Sequence, residues 1–125
     1  MKMFLLFSHR LTSRQIEDAK SSLKVDKFIY LPENLQDLWS KIPPHIEDIS
    51  PVLLPLKNFL KTNAKRDDFI LIQGDFGATC NMVNFAKQNG FIPIYSTNKR
   101  VAKEYTDGNK LIKMSEFIHN IYRRF

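Results

Sequence analysis

The nine residues LIQGDFGAT, 71–79, lead from an apolar segment into a glycine-rich turn and then towards a helix. A short apolar run bounded by polar residues, here 68–72, is typical of a strand that is buried on both faces. The helix that follows is predicted over 77–90, with Gly90 as its C-cap. A buried strand followed at once by a helix is the building unit of a parallel α/β sheet.

The same unit recurs along the chain, so that helix and strand alternate up to residue 96. The predicted strands are 3–7, 27–31, 68–72 and 91–96, and the predicted helices are 12–24, 33–42, 51–64 and 77–90. Thr12 and Gln15 predict a capping box at the start of the first helix. The pattern predicts a Rossmann-like α/β fold: a mainly parallel sheet, helices on both faces, and the strand order second, first, third, fourth.

The C-terminal part departs from this alternation. Asp107 and Gly108 form a dipeptide that is favoured in two-residue type I′ turns, so residues 101–114 are predicted to form a β-hairpin. The last stretch, 117–125, fits either a strand or a short helix.

Length and composition limit the class of protein. A chain of 125 residues matches one domain with one core, so we expect a single domain over 1–125. The apolar start before Ser8 is too short for a signal peptide or a membrane span, and we expect a cytoplasmic protein. The single Cys80 has no partner for an internal disulfide, and its simplest role is that of a small residue in a helix.

The charge balance points to a class of partner. The chain has 19 Lys and Arg against 13 Asp and Glu, a net charge of +6. Such an excess suggests a polyanionic partner. Because the basic residues are spread along the chain, the excess has meaning only where basic groups converge.

Polar residues follow three of the four predicted strands. The carboxyl ends of parallel strands lie at one edge of a sheet, and ligands bind where neighbouring crossovers leave towards opposite faces. The three polar segments are Ser8-His9-Arg10, Gln73-Gly74-Asp75-Phe76-Gly77 and Ser96-Thr97-Asn98-Lys99-Arg100. In the predicted strand order these segments are neighbours, so we expect them to meet.

The residue types in these segments suit a phosphodiester. Gly74 and Gly77 allow close approach of the backbone, and the amides at the following helix start form an anion site. Lys99 and Arg100 offer positive charge to phosphate oxygens. The predicted ligand-binding residues are Ser8, Arg10, Gly74, Asp75, Phe76, Gly77, Ala78, Thr79, Ser96, Thr97 and Asn98, and the predicted catalytic residues are His9, Gln73, Lys99 and Arg100.

Structural roles compete with functional ones at these positions. Asp75 is placed to be the N-cap of the following helix, and this role is favoured over a catalytic or metal role. Gln73 has the alternative of satisfying backbone groups. Ser8 and Arg10 have the alternative of closing a loop.

The three histidines differ in what they predict. His9 follows a buried strand directly, and it either assists proton transfer or is simply hydrogen-bonded in its loop. His45 is expected at the surface. His119 is expected in a structural position or at an interface.

Three segments, LFSHRLT (6–12), QGDFGAT (73–79) and PIYSTNKR (93–100), together with the closing FIHNIYRRF, resemble one family of small proteins. They are similar to the CRISPR-associated proteins of the Csx series, member twenty, over nearly the whole chain. The resemblance implies a CARF-like Rossmann fold and a ring nuclease of type III CRISPR systems. Such proteins bind cyclic tetra-adenylate and cut it, so that antiviral defence nucleases switch off. The family usually has a second threonine where this chain has Asn98.

The implied reaction needs no metal and no cofactor. Each phosphodiester of the ring lies beside a ribose 2′-hydroxyl, and aligning it with the leaving 5′ oxygen allows cleavage to a 2′,3′-cyclic phosphate. The sequence has no cluster of carboxylates for two metals. Lys99 or Arg100, with the amides of 77–79, would stabilise the phosphorane, and His9 would assist proton transfer. The two-fold symmetric ring suggests a symmetric homodimer, with the C-terminal hairpin or tail in the contact.

Two other functions remain open. A binding module would hold the ring without cutting it and would lower the free concentration of the messenger. A general basic RNA-binding protein would bind long RNA with a steep salt dependence, but the chain lacks the alternating aromatic residues of a stacking platform. No membrane partner is expected, and long nucleic acid is not required.

Overall fold

Five strands form one sheet in the order β2-β1-β3-β4-β5, and four helices pack on it. The computed structural model describes residues 1–125. The elements along the chain are β1 (Lys2–Phe7), α1 (Ser13–Ser22), β2 (Lys27–Tyr30), α2 (Glu33–Ser40), α3 (Ser50–Asn63), β3 (Phe69–Gln73), α4 (Phe76–Gln88), β4 (Ile92–Asp107) and β5 (Lys110–Arg124). The first four strands are parallel neighbours in the predicted order, and the α/β class is confirmed.

The strand order changes direction between β1 and β3. Leu5 pairs with Leu71 across this junction, and Leu71 pairs with Ile94 on its other side. Because the strands are parallel, Phe7 and Gln73 at their ends lie at one edge of the sheet, beside the continuation of β4. We call this edge the carboxyl edge.

Helices cover both faces of the sheet, as the sequence predicted. On one face α2, α3 and α4 pack on β1 and β3 in a core of 16 buried residues, with Trp39 and Leu56 among them. On the other face α1 packs on the sheet in a core of 8 buried residues, with Ala19 and Ile94 among them. Alternate residues of one strand enter different cores, which explains why these strands are apolar throughout.

Local signals set the helix ends. The Thr12 amide donates to Gln15 Oε1 at 2.8 Å and the Gln15 amide donates to Thr12 Oγ1 at 3.2 Å, so the capping box is confirmed. Gly90 has a φ of 77° just after α4, as expected for a glycine at a helix end. Pro51 lies in the first turn of α3, and Pro55 lies inside that helix. None of the helices is long and apolar enough to cross a membrane.

Strands β4 and β5 extend far beyond the rest of the sheet. Only Ile92–Ile94 of β4 pair with β3, whereas the antiparallel ladder with β5 continues to the pair Asp107 and Lys110. Residues 97–107 and 110–121 therefore form a two-stranded ribbon, which we call the arm. At about 3.3 Å per residue the arm is roughly 35 Å long.

The arm corrects one prediction, confirms and extends a second, and decides a third. The strand predicted over 91–96 does not end there, and the hairpin predicted over 101–114 is the outer part of the same pair of long strands. The undecided segment 117–125 is strand up to Arg124. The polar segment that begins at Ser96 is therefore not a loop but the base of the arm.

The turn at the tip of the arm is shifted by one residue from its prediction. Asp107 pairs with Lys110, so the two central residues are Gly108 and Asn109. Gly108 has a φ of 63°, and Asn109 is not among the residues with a positive φ. A glycine with positive φ at the first central position alone is the pattern of a type II′ turn, and the type I′ prediction is wrong.

Candidate functional site

A cavity of about 390 Å³ lies at the carboxyl edge, and we call it the edge cavity. Its lining residues are Phe7, Ser8, His9, Gln15, Gln73, Gly74, Ser96, Asn98 and Phe117. They come from all three polar segments that the sequence expected to meet, and also from α1 and the arm. The structure therefore brings members of each segment to one place.

Two smaller cavities flank the edge cavity. One, of about 320 Å³, shares His9 with it and adds Arg10. The other, of about 310 Å³, shares Gln73 with it and adds Phe76 and Thr79. A larger depression of about 610 Å³ at the amino ends of the strands contains none of the predicted residues. Three cavities thus lie side by side along the carboxyl edge.

Gln73 and Ser96 are joined across the end of β3. The Ser96 amide donates a hydrogen bond of 2.8 Å to Gln73 Oε1. The predicted alternative for Gln73, satisfying a backbone group, is therefore correct for its side-chain oxygen. The bond also fixes the side-chain amide, whose nitrogen has no partner in the protein and remains able to donate in the edge cavity.

Ser96, His119 and Asp18 form a hydrogen-bonded chain that leads from the edge cavity to α1. Ser96 Oγ lies 2.5 Å from His119 Nδ1, and His119 Nε2 lies 2.7 Å from Asp18 Oδ2. Ser96 and His119 are each 5% exposed. Burial by itself raises the pKa of Asp18, but hydrogen bonds from Ser22 and His119 outweigh it and hold this pKa below its ordinary value of 3.8. Asp18 is therefore ionised at neutral pH.

Gln15 and Tyr122 close this network from the side of α1. Gln15 Nε2 donates to Ser96 Oγ at 3.4 Å, and the Tyr122 hydroxyl donates to the Gln15 carbonyl at 2.9 Å. The Tyr122 ring lies against that of His119, with the centroids 4.5 Å apart. Burial, followed by the charge of Asp18, raises the pKa of Tyr122 well above its ordinary value of 10.0, so the hydroxyl stays protonated.

The Trp39 indole leaves no room for a side chain at position 74. A Cβ at Gly74 would lie 2.9 Å from atoms of the Trp39 indole, and Trp39 Nε1 donates to the Gln73 carbonyl at 3.1 Å. Because Trp39 is only 2% exposed, it has no room to move aside. At Gly77 the nearest atom to an added Cβ is 3.5 Å away, so packing does not demand a glycine there.

The start of α4 is capped from within the chain. The Asp75 carboxylate accepts from the Ala78 amide at 3.0 Å, and the Asp75 carbonyl accepts from the Thr79 amide at 2.8 Å. The N-cap role of Asp75 is confirmed. The phosphate cradle predicted over 77–79 is wrong, because two of its amides are bonded and a carboxylate lies beside them. Ala78 is fully buried in the core, so its side chain has no access to a ligand.

Phe76 and Thr79 border the flanking cavity on the side of α4. The Phe76 side chain is 95% exposed, and Tyr95 and Phe125 lie around the same cavity with their ring centroids 4.8 Å apart. Thr79 Oγ1 is buried and has no hydrogen-bond partner. This part of the carboxyl edge is an aromatic surface with one unpaired hydroxyl.

Three residues of the segment at the base of the arm do not line the edge cavity. The Thr97 hydroxyl donates to the Ile121 carbonyl at 3.0 Å and accepts from the Ile121 amide at 3.1 Å. Arg100 donates through Nε and one terminal nitrogen to Ser115 Oγ, at 3.1 and 3.0 Å. Lys99 is exposed on the arm. The expectation that Lys99 and Arg100 converge with the other segments is wrong, because the strand continues where a loop was expected.

His9 and Arg10 remain exposed at the end of β1. The His9 ring lies edge-on to Phe7, with the centroids 5.5 Å apart, and the Arg10 guanidinium lies 5.1 Å from the centroid of the Tyr30 ring. Neither side chain forms a hydrogen bond within the protein, so both are able to contact a ligand. The alternative that His9 is hydrogen-bonded in its loop is not what the structure contains.

Sequence reasoning missed Asp18 and Phe117 and gave His119 no part in the site. Asp18 and His119 are 101 residues apart in the chain, so no local pattern joins them. The one usable signal was the spacing of Gln15 and Asp18, which places both on one side of α1. Phe117 is 70% exposed and reaches the edge cavity only because β5 returns beside β4.

Comparison with known proteins relates the whole of this architecture to one family. The family model described as "Uncharacterized protein MJ1673 family" matches residues 1–123. A relative from Methanocaldococcus jannaschii, described as "Uncharacterized protein MJ1673", is 56% identical over 124 residues, which are 99% of this chain and 96% of the relative. No solved structure matches the chain at a significant level. The match includes both cores, the carboxyl edge and the arm, and the chain belongs to the MJ1673 family.

Proposed function

We propose that the protein is a ring nuclease with a CARF-like Rossmann fold, which binds cyclic tetra-adenylate and cuts it to linear di-adenylates. The resemblance of its edge segments to the Csx-series proteins supports this proposal. The observation that carries it is the meeting of His9, Gln73, Ser96 and Asn98 around one cavity. Polar groups at a change of strand order form the usual ligand site of such sheets. In this role the protein acts in the cytoplasm and switches off type III CRISPR antiviral signalling.

The proposed reaction is attack of a ribose 2′-hydroxyl on the adjacent phosphorus, which leaves a 2′,3′-cyclic phosphate. It needs no metal or cofactor, since the ring brings its own nucleophile and the site has to hold it in line with the leaving 5′ oxygen. Gln73 and Asn98 offer amide donors for phosphate oxygens or ribose hydroxyls. His9 assists proton transfer, and Arg10 lines the adjoining cavity together with it and offers positive charge there.

Exposed aromatic rings support a nucleobase ligand. Phe117 lines the edge cavity and is 70% exposed, and Phe76 lines a flanking cavity and is 95% exposed. Rings that stand in water gain from stacking on a base, which contributes about 1–3 kcal/mol per base. The two rings mark two places for adenines along the carboxyl edge.

A symmetric homodimer is part of the proposal. One face of the arm carries a stripe of five apolar side chains, three of which pair with Lys99, Lys103 and Glu116 on that same face, because strand residues alternate and opposite pairs share a face. The stripe residues are Val101, Tyr105, Ile112, Met114 and Ile118. An isolated two-stranded ribbon is at best marginally stable in water, so a second arm is a suitable cover. A two-fold axis also matches the symmetry of the ring.

The test is cleavage of labelled cyclic tetra-adenylate by purified protein in EDTA. We expect linear products that end in a 2′,3′-cyclic phosphate. His9→Ala should slow cleavage by about 10²–10⁴-fold with binding retained, because it removes a proton-transfer group. The matched control is His45→Ala, since His45 is exposed, as predicted, and lines none of the three cavities at the carboxyl edge. If the ring stays intact after incubation with a molar excess of protein, the proposed nuclease activity is contradicted.

A second candidate is a non-catalytic protein that sequesters cyclic oligoadenylate. It is favoured by one observation: the Arg100 guanidinium is held by Ser115 on the arm, away from the edge cavity, so the site has less positive charge to stabilise a phosphorane. Tight binding with the ring intact in the same experiment selects this candidate. Equal binding of long RNA, with a steep loss of affinity in salt, would contradict both.

A further inference from the structure

The proposed cleavage leaves the hydrogen-bonded chain of Ser96, His119 and Asp18 without a role. Ser96 at one end lines the edge cavity, and Asp18 at the other end belongs to α1. Three separate elements, β4, β5 and α1, supply the three side chains. A hydroxyl, an imidazole and a carboxylate bonded in this order form the constellation with which hydrolases activate a hydroxyl.

The hydrogen-bond partners fix the direction of each proton. Asp18 is ionised, so His119 Nε2 carries the proton that lies between the two groups. In a neutral imidazole the other nitrogen is then an acceptor, and Ser96 donates its hydroxyl proton to Nδ1. Ser96 Oγ is therefore able to accept a hydrogen bond. Its donor within the protein is Gln15 Nε2, at a long distance of 3.4 Å. A substrate hydroxyl would therefore compete well with Gln15 for this oxygen.

We infer that Ser96 is a catalytic residue that receives the proton of the attacking 2′-hydroxyl, with His119 and Asp18 as the positioning residues behind it. This inference rests on the proposed function. Ser96 alone of the three lines the edge cavity, so it is the group that touches the substrate. His119 and Asp18 act through it.

The step balances in atoms and charge. The 2′ oxygen forms a bond to phosphorus while its proton passes to Ser96 Oγ, and the Ser96 proton passes to His119 Nδ1. The resulting imidazolium is paired with the Asp18 carboxylate through Nε2. The bond from phosphorus to the 5′ oxygen breaks, and this oxygen takes a proton from the protonated form of His9. Exchange with water returns His119 and His9 to their starting states.

The groups around His119 suit this role. Asp18 is the carboxylate that contacts it, and Arg14 on the same helix acts on Asp18 by its charge. The Tyr122 hydroxyl is turned towards the Gln15 carbonyl and stays protonated, so it takes no proton from the relay. The charged group in contact with the His119 imidazole is thus the Asp18 carboxylate, and its negative charge favours protonation of His119 during the step.

Two variants test the relay against a purely structural bond between α1 and β5. Ser96→Ala removes the oxygen that meets the substrate, and Asp18→Asn removes the charge behind His119. The probe is labelled cyclic tetra-adenylate in single-turnover cleavage, and the 2′-O-methyl ring, which has no nucleophile, reports binding separately. We expect both variants to cleave about 10²–10⁴-fold more slowly with unchanged affinity for the methylated ring. Glu17→Gln is the matched control, because Glu17 is exposed on the same helix.

Cleavage measured apart from binding and stability separates a relay from a structural role. A relay predicts slower single-turnover cleavage by Ser96→Ala with the affinity for the methylated ring retained. A merely structural bond predicts a lower melting temperature and weaker affinity for the methylated ring, with no slower step at saturating protein. If the wild type cuts and Ser96→Ala cuts equally well, the relay is overturned and the nuclease stands. If the wild type binds the ring without cutting it, both are overturned.

Discussion

Gly74 is small because the Trp39 indole lies where a side chain would begin. Gly74→Ala should therefore destabilise the fold by about 1–3 kcal/mol, the usual result of adding an atom to a packed site. Gly77→Ala, in the same turn, is the matched control and should change stability little, because its Cβ meets only ordinary contacts. Urea unfolding of the three proteins measures both effects. Equal losses in the two variants would show that the Trp39 contact is not the cause.

At the same scale, the sequence identified Ser8, His9, Gln73 and Asn98 because each belongs to a polar segment that follows a predicted buried strand. It did not identify the charged chain behind Ser96, because nothing near Asp18 in the sequence refers to a histidine 101 residues later. The end of a strand is visible in the local sequence, whereas pairing across the sheet is not. The location of these residues at the carboxyl edge was therefore easier to predict than the hydrogen-bond partners of their side chains.

Helix α1 and strand β5 are joined by the Asp18–His119 contact, and this joint should weaken in acid. Folding lowers the pKa of Asp18 through the groups bonded to it, so its stabilising effect is complete above its ordinary value of 3.8 and is lost as pH falls through the lower folded value. Wild type should exceed Asp18→Asn in stability near neutral pH, and the difference should shrink as the pH falls below 3.8. Urea unfolding at several pH values measures this. If the stability difference between wild type and Asp18→Asn does not change with pH, or if Glu17→Gln shows the same difference, the Asp18–His119 contact is not its cause.

Elements with a strong local pattern were predicted well, and the arm was not. The capping box of α1 and the glycine after α4 lie where the sequence placed them, since both depend on neighbouring residues. The predicted end of β4 failed because polar residues such as Thr97 normally end a strand, whereas here Thr97 bonds to Ile121 of the partner strand. Antiparallel pairing can thus carry a polar sequence that a parallel sheet would exclude.

The whole molecule should associate through the apolar stripe of the arm. We expect a mass of about twice the 14.7 kDa of one chain by light scattering. Met114→Glu places a charge in the stripe and should give monomers. Leu111→Glu is the matched control, because Leu111 is 59% exposed but pairs with Thr106 on the opposite face of the arm, so this variant should remain dimeric. A monomeric wild type, or equal dissociation of both variants, would argue against this contact.

The ladder between β4 and β5 is irregular at one place, between Ser96 and Asn98. A bulge bends and twists the strand that carries it, so this irregularity sets the direction in which the arm leaves the sheet. Ser96 and Asn98 on either side of it also line the edge cavity. A change in the curvature of the arm at this point would therefore reshape the mouth of that cavity.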